Sequence, residues 1–190
     1  MKKLFFLPLF SILFVYSDLS GAQEKMPPPP DGYSWERQAE TKSAFLKPSG
    51  WFYKKTKQGE GWGYFITKEN IDKEGRFFTG LSVFIIPKSF KKETSSIPSF
   101  IKSFFGELSQ GAKVVTPFFE KELGPFKGGG IVLRREDAKE GAYIVYTLLL
   151  INSQTGGVYN LIFEAPAKEW EKAWAIGEPM LKKFMIDTDI

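Results

Sequence analysis

The sequence predicts an α+β domain, an antiparallel β-sheet with helices packed on its faces. Short runs rich in aromatic and β-branched residues recur between positions 43 and 165, separated by Gly- and Pro-containing turns. The apolar period becomes helical over Ile97–Leu108 and again over residues 168–184. Residues 143–151 are apolar on both alternating faces, the pattern of a central strand covered on both sides.

Residues 43–47 form a short predicted strand, stopped by Pro48-Ser49-Gly50. Residues 51–57 and 62–67 read as a hairpin around Gln58-Gly59-Glu60-Gly61, and residues 77–86 as a further strand closed by Pro87. In the first helix Ile97, Phe100, Ile101, Phe104, Phe105 and Leu108 form one apolar stripe. Ser96 is placed to cap it, Pro98 sits in its first turn and Gly111 follows its end. Strands are expected over Lys113–Leu123 and 131–136, joined by the turn-rich segment Gly124-Pro125-Phe126-Lys127-Gly128-Gly129-Gly130. The central strand turns at residues 152–157 into a partner over 158–165, with Tyr159, Leu161 and Phe163 on one face and Asn160 and Glu164 on the other. The closing helix carries Trp170, Trp174, Leu181 and Phe184 near one stripe, and Gly177 and Pro179 are expected to kink it. About eight strands and two helices follow from this reading.

With 190 residues, 43% hydrophobic and 25% charged, the chain holds one globular domain with a real core. It has no Cys and no His. Disulfides, thiolate and imidazole metal sites, and Ser-His or Cys-His relays are therefore excluded. The net charge of +4 comes from scattered basic pairs such as Lys54-Lys55 and Arg134-Arg135, which argues against a nucleic-acid partner.

The N-terminus reads as an export signal. Lys2 and Lys3 precede an apolar run from Leu4 to Tyr16, and Ser20-Gly21-Ala22 places small residues where a signal peptidase acts. That run, 13 residues long, is shorter than the roughly 17–25 a membrane span needs. The expected organisation is a signal peptide over residues 1–22 cleaved near Ala22, a Pro-rich tether over 23–32 containing Pro27-Pro28-Pro29-Pro30, and one domain over 33–190. A periplasmic or secreted product follows, and without Cys it is not a lipoprotein.

A longer pattern closes the chain: Gly157-Val158-Tyr159-Asn160-Leu161-Ile162-Phe163-Glu164-Ala165-Pro166-Ala167-Lys168-Glu169-Trp170, then a helix, then Phe184-Met185-Ile186-Asp187. Together with Phe45-Leu46-Lys47-Pro48-Ser49-Gly50-Trp51 and Phe78-Thr79-Gly80-Leu81-Ser82-Val83, it resembles the PsbP family over roughly Tyr33 to Asp187. That family is typified by an extrinsic subunit of the photosynthetic oxygen-evolving complex and has exported bacterial relatives. The resemblance implies an α/β/α sandwich with a central antiparallel sheet flanked by helices. It also implies a non-enzymatic binding or assembly factor. Imidazole metal sites of plant members have no counterpart in a chain without His.

Several groups could carry chemistry. Gly128-Gly129-Gly130 leads into a strand and lacks the helix and Lys-Ser or Lys-Thr of a phosphate cradle, so a hairpin turn is expected there. Glu120 and Glu122 project to one side of their strand and could act as acid and base or hold a cation, although a solvated face explains them more simply. Glu136, Asp137 and Glu140 form a charged hairpin end without the ligand spacing of an EF-hand. Ser95, Ser96 and Ser99 have no His to activate them; Ser99 and Lys102 have Ser-x-x-Lys spacing without its companion motifs. Trp51, Trp62, Trp170 and Trp174 suit either a core edge or a ligand platform. No catalytic, cofactor-binding or metal-ligating residue is assigned. The expected function is a non-enzymatic exported factor that binds another envelope or secreted protein. The alternative is a carrier holding a small apolar ligand in a pocket between sheet and helix.

Overall fold

A computed structural model describes residues 26–91 and 96–188. The expected signal peptide, the cleavage position at Ala22, the start of the tether and Ser95 lie outside the described residues. Nine strands of the described residues form two sheets. Strands β1 (Tyr33–Gln38) and β2 (Ser43–Pro48) make an antiparallel hairpin of their own. A seven-stranded sheet contains β3 (Phe52–Gln58), β4 (Gly61–Thr67), β5 (Gly80–Ile86), β6 (Lys113–Leu123), β7 (Phe126–Asp137), β8 (Gly141–Asn152) and β9 (Val158–Pro166). Its order is β3-β4-β5-β9-β8-β7-β6 and every pairing is antiparallel. The sheet is thus two meanders joined where β5 meets β9, with β3 and β6 at its edges.

Three helices complete the fold of the described residues: α1 (Ile71–Glu74), α2 (Ile97–Leu108) and α3 (Trp170–Lys182), the last entered through a 3-10 turn over Ala167–Glu169. Alternation along the strands sends two apolar sets to opposite faces. Tyr64, Ile66, Leu81, Val83, Leu148, Leu150, Leu161 and Phe163 pack under α3 and the β1–β2 hairpin, which contributes Phe45 and Leu46. Ile131, Leu133, Leu149, Ile151 and Val158 pack under α2, which buries Ile101 and Phe105. The expected sandwich is present, with the hairpin sharing one of its outer layers.

The α2 stripe, its Ser96 cap and the two-residue turn between β3 and β4 are as expected. Ser96 Oγ accepts from the Ser99 N–H at 3.3 Å, and Gly59 at φ +58° supplies the positive φ that such a turn needs. Other elements differ from expectation. Residues 77–79 do not begin β5, because the Glu69 carboxylate takes the N–H groups of Phe78 and Thr79 at 3.0 and 3.1 Å and holds them in a loop. Strand β1 was not expected. Tyr33 and Trp35 alternate there with Ser34 and Glu36, and the strand pairs over its whole length with β2. The closing helix begins at Trp170, after the 3-10 turn, and runs through Gly177 and Pro179 to Lys182, where the sequence reading has it over residues 168–184. The central strand β8 is buried from Thr147 onward but only half-buried over Tyr143–Tyr146.

The largest correction concerns Gly128-Gly129-Gly130. The turn consists of Gly124 and Pro125, and all three glycines lie inside β7, paired on both sides. A Cβ at Gly130 would lie 2.5 Å from the Phe119 ring, one at Gly129 would strike the Phe118 ring, and one at Gly128 would collide with the Leu149 carbonyl. Two rings of β6 thus lie over glycines of β7, where side chains would otherwise stand.

The C-terminal tail docks. Ala44 and Met185 exchange both backbone hydrogen bonds at 2.9 Å, Phe184 is buried, and Asn152 Nδ2 donates to the Thr188 carbonyl at 2.6 Å. Lys42 reaches the buried Asp187 carboxylate at 3.1 Å. At the other end, the Trp35 indole donates to the Pro27 carbonyl at 2.8 Å, so the proline run touches the domain.

Candidate functional site: the groove between helix α2 and the β6 edge

Helix α2 packs over β7, with Leu149 and Ile151 of β8 in the same cluster, and reaches the edge strand β6 through the contact of Phe105 with Phe118. β6 itself departs from regular pairing twice, between Val114 and Thr116 and between Thr116 and Phe119, each time with one residue more than β7 supplies. Such bulges bend an edge strand. Between the helix and the bent edge lies an open groove of 680 Å³. Its helix wall is Pro98, Lys102, Gly106 and Ser109; its strand wall includes Phe118, Glu120, Glu122 and Lys127. Ile101, Phe105 and Ile131 form the apolar base, with the Phe105 and Phe118 ring centroids 5.1 Å apart.

Glu120 and Glu122 do share a face, as the strand period predicts, and that face is the groove. Lys121 turns to the other side with Phe119 and Leu123. Ser99 is exposed on α2 and donates its backbone N–H to Ser96, while Lys102 lies on the groove wall. Among the described residues, neither Lys102, Lys127, Glu120 nor Glu122 forms an ion pair.

The charged hairpin end between β7 and β8 finds its partners within the hairpin and at Arg76. Arg134 donates to Glu136 at 2.8 Å, Asp137 Oδ1 accepts from the N–H groups of Lys139 and Glu140 at 2.8 and 2.9 Å, and Arg76 pairs with Glu140. Among the described residues, no three Asp or Glu side chains are grouped so as to hold a metal ion. No helix of the described residues is long and apolar enough to cross a membrane.

The tryptophans pack at the rim of the main core. Trp170 and Trp174 stack at 5.2 Å, the Phe163 ring meets both, and Trp174 reaches Tyr146 at 5.1 Å. Burial pushes the Tyr146 hydroxyl up to about 12. Trp62 stacks on Tyr64 at 6.5 Å, with the Lys55 and Lys57 ammonium groups 5.6 and 5.8 Å from its ring centre. On the face opposite the main core, burial raises the Glu164 carboxyl above the usual carboxylate range.

Edge strand β6 also carries an exposed apolar strip. Val114 is 46% exposed, Val115 49% and Phe118 41%. The sequence showed these as ordinary strand residues. Only the strand order, which puts β6 at an edge, makes them a surface.

A seven-stranded antiparallel sheet between a layer of helix plus hairpin and a second helix defines an α/β/α sandwich of the α+β class. The cyanobacterial PsbP protein of Synechocystis sp. PCC 6803 has this fold: it superposes with a TM-score of 0.52 at 13% identity, covering 88% of this chain and 99% of that one. The fold is therefore PsbP-like. Mog1p, a Ran-binding protein of Saccharomyces cerevisiae, is similar with a TM-score of 0.46 at 14% identity, over 81% of this chain and 95% of its own. LpqN of Mycobacterium tuberculosis, involved in cell envelope biogenesis, gives 0.44 at 11% identity, over 84% of this chain and 80% of its own. No protein-family model matches the sequence, and no curated protein matches it.

Proposed function

We propose that this chain is an exported, non-enzymatic binding factor that engages another envelope or secreted protein. The apolar strip on the open β6 edge carries this reading. Val114, Val115 and Phe118 place three large apolar side chains in water beside unpaired strand backbone, a combination that protein surfaces generally avoid unless it is covered. Pro117 and the two bulges sit within the same stretch and discourage pairing with further copies of this strand. The export signal read over residues 1–22 supports placing that partner outside the cytoplasm.

A photo-crosslinking side chain at Val115 in the full-length chain, expressed in its own cell, tests the proposal. One reproducible protein adduct that is lost in Phe118→Lys is expected. A turnover activity abolished by a single side-chain substitution would refute the non-enzymatic part, and absence of any adduct the binding part.

The groove favours a second reading, a carrier of a small apolar molecule. Its 680 Å³ lies within the roughly 300–1,000 Å³ of sites that enclose small ligands. Native mass spectrometry of the gently isolated chain distinguishes the two: a carrier shows an added mass of a few hundred daltons, on the order of a small ligand that such a cavity holds.

A further inference from the structure

We propose that the groove between α2 and β6 is a site for a single-chain amphiphile whose head carries a phosphate and an ammonium group. This rests on the carrier reading and names the ligand class. The apolar base of Ile101, Phe105 and Ile131 with the Phe118 wall takes the chain, and the rim takes the head.

Two independent observations point to an occupant. The first is Gly106. It lies inside α2, where glycine is among the poorest helix formers. No packing demands it: a Cβ there would meet nothing within 4 Å. Every other glycine in the neighbouring strand wall is forced by a collision, whereas Gly106 leaves open space in the groove. Gly106 lines the groove without adding a side chain to its helix wall, between Lys102 and Ser109.

The second is the charge around the mouth. Lys102 on the helix wall faces a strand wall bearing Glu120, Glu122 and Lys127, and none of the four is neutralised by an ion pair among the described residues. Glu122 and Lys127 are directly opposite one another in the β6–β7 register. An anionic amphiphile would meet two carboxylates and a cationic one would meet two ammonium groups. A dipolar head satisfies both pairs, with its phosphate toward Lys102 and Lys127 and its ammonium toward Glu120 and Glu122.

The probe is lysophosphatidylethanolamine below its micellar concentration, titrated into the full chain and followed by calorimetry. A fatty acid, an alkylammonium and an alkyl glucoside of equal chain length serve as comparators. Tighter binding of the zwitterion, at least tenfold over each comparator, is expected. Gly106→Leu should weaken it at least tenfold while keeping the thermal midpoint at or above that of the parent, and Gly106→Ala should change it less. Lys102→Glu should move the preference toward the alkylammonium. Equal affinity for all four probes overturns the proposal, as does unchanged binding in Gly106→Leu. If a molecule of other chemistry co-purifies and Gly106→Leu displaces it, the carrier reading stands and the zwitterion assignment falls. If no ligand co-purifies and no probe binds, both fall.

Discussion

Replacing Gly177 by alanine sets two known effects against each other at one atom. In a helix interior alanine is favoured over glycine by about 1 kcal/mol. Gly177 is buried in α3, however, and a Cβ there would meet three carbons of the Phe163 ring, the farthest at 2.7 Å. Reaching the 3.4 Å of ordinary contact from 2.7 Å requires even that carbon to retreat by 0.7 Å. The ring has little room, since Trp170 and Trp174 stand 6.0 and 5.9 Å from its centre and Phe163 itself is fully buried. Overpacking costs about 1–3 kcal/mol, and a ring approached to 2.3 Å with no room to retreat puts this case at about 2–3 kcal/mol, before the propensity gain of about 1 kcal/mol is set against it. The net expectation for Gly177→Ala is a loss of about 1–2 kcal/mol, or roughly 2–8 °C in Tm for a chain of this size. Urea unfolding of the purified domain measures it. Adding Phe163→Leu should cost less than the two single changes summed, because the second removes the ring that the first strikes. The same substitution at Gly106, in the open, should instead stabilise by about 0.5–1 kcal/mol. An unchanged or raised midpoint for Gly177→Ala would refute the argument that the ring contact decides the sign.

Two further outcomes follow from the structure. Gly128→Ala should cost about 3 kcal/mol or more, since its new methyl meets the backbone carbonyl of Leu149 rather than a side chain that can turn away; a parent-like urea midpoint would show that β7 and β8 can slide apart. Glu164 has its carboxyl raised by burial, so the folded state keeps its proton to higher pH than the unfolded chain. The contribution of the neutral acid is complete below the ordinary carboxylate value of about 4.3 and is lost as pH rises through the raised one. Glu164→Gln should therefore unfold later than the parent at pH 7 and together with it near pH 4, and thermal melts across that interval test the sign.

Much of this architecture is legible because it rests on local period. The α2 stripe, its Ser96 cap and the alternation of Tyr159, Leu161 and Phe163 are encoded within a few residues of chain. The run Gly128-Gly129-Gly130 reads as a turn for the same reason: locally nothing argues against it. What makes it a strand lies on the neighbouring one, where Phe118 and Phe119 lay a ring on each face of the glycines. Glu120 and Glu122 show the matching limit. Their spacing fixes a shared face, but which face it is depends on α2 packing over β7. Val114 and Val115 become a surface only through strand order, which joins segments far apart in sequence.

The backbone bridge between Ala44 and Met185, with Lys42 on Asp187 and Tyr159 on the Asp187 carbonyl, ties the hairpin to the segment that follows α3. During synthesis that segment emerges after all nine described strands. Every strand of the large sheet is thus made before the clasp on its outer hairpin layer can form, and the cover over the core that Phe45 and Leu46 enter is fastened by a later part of the chain than any strand it covers.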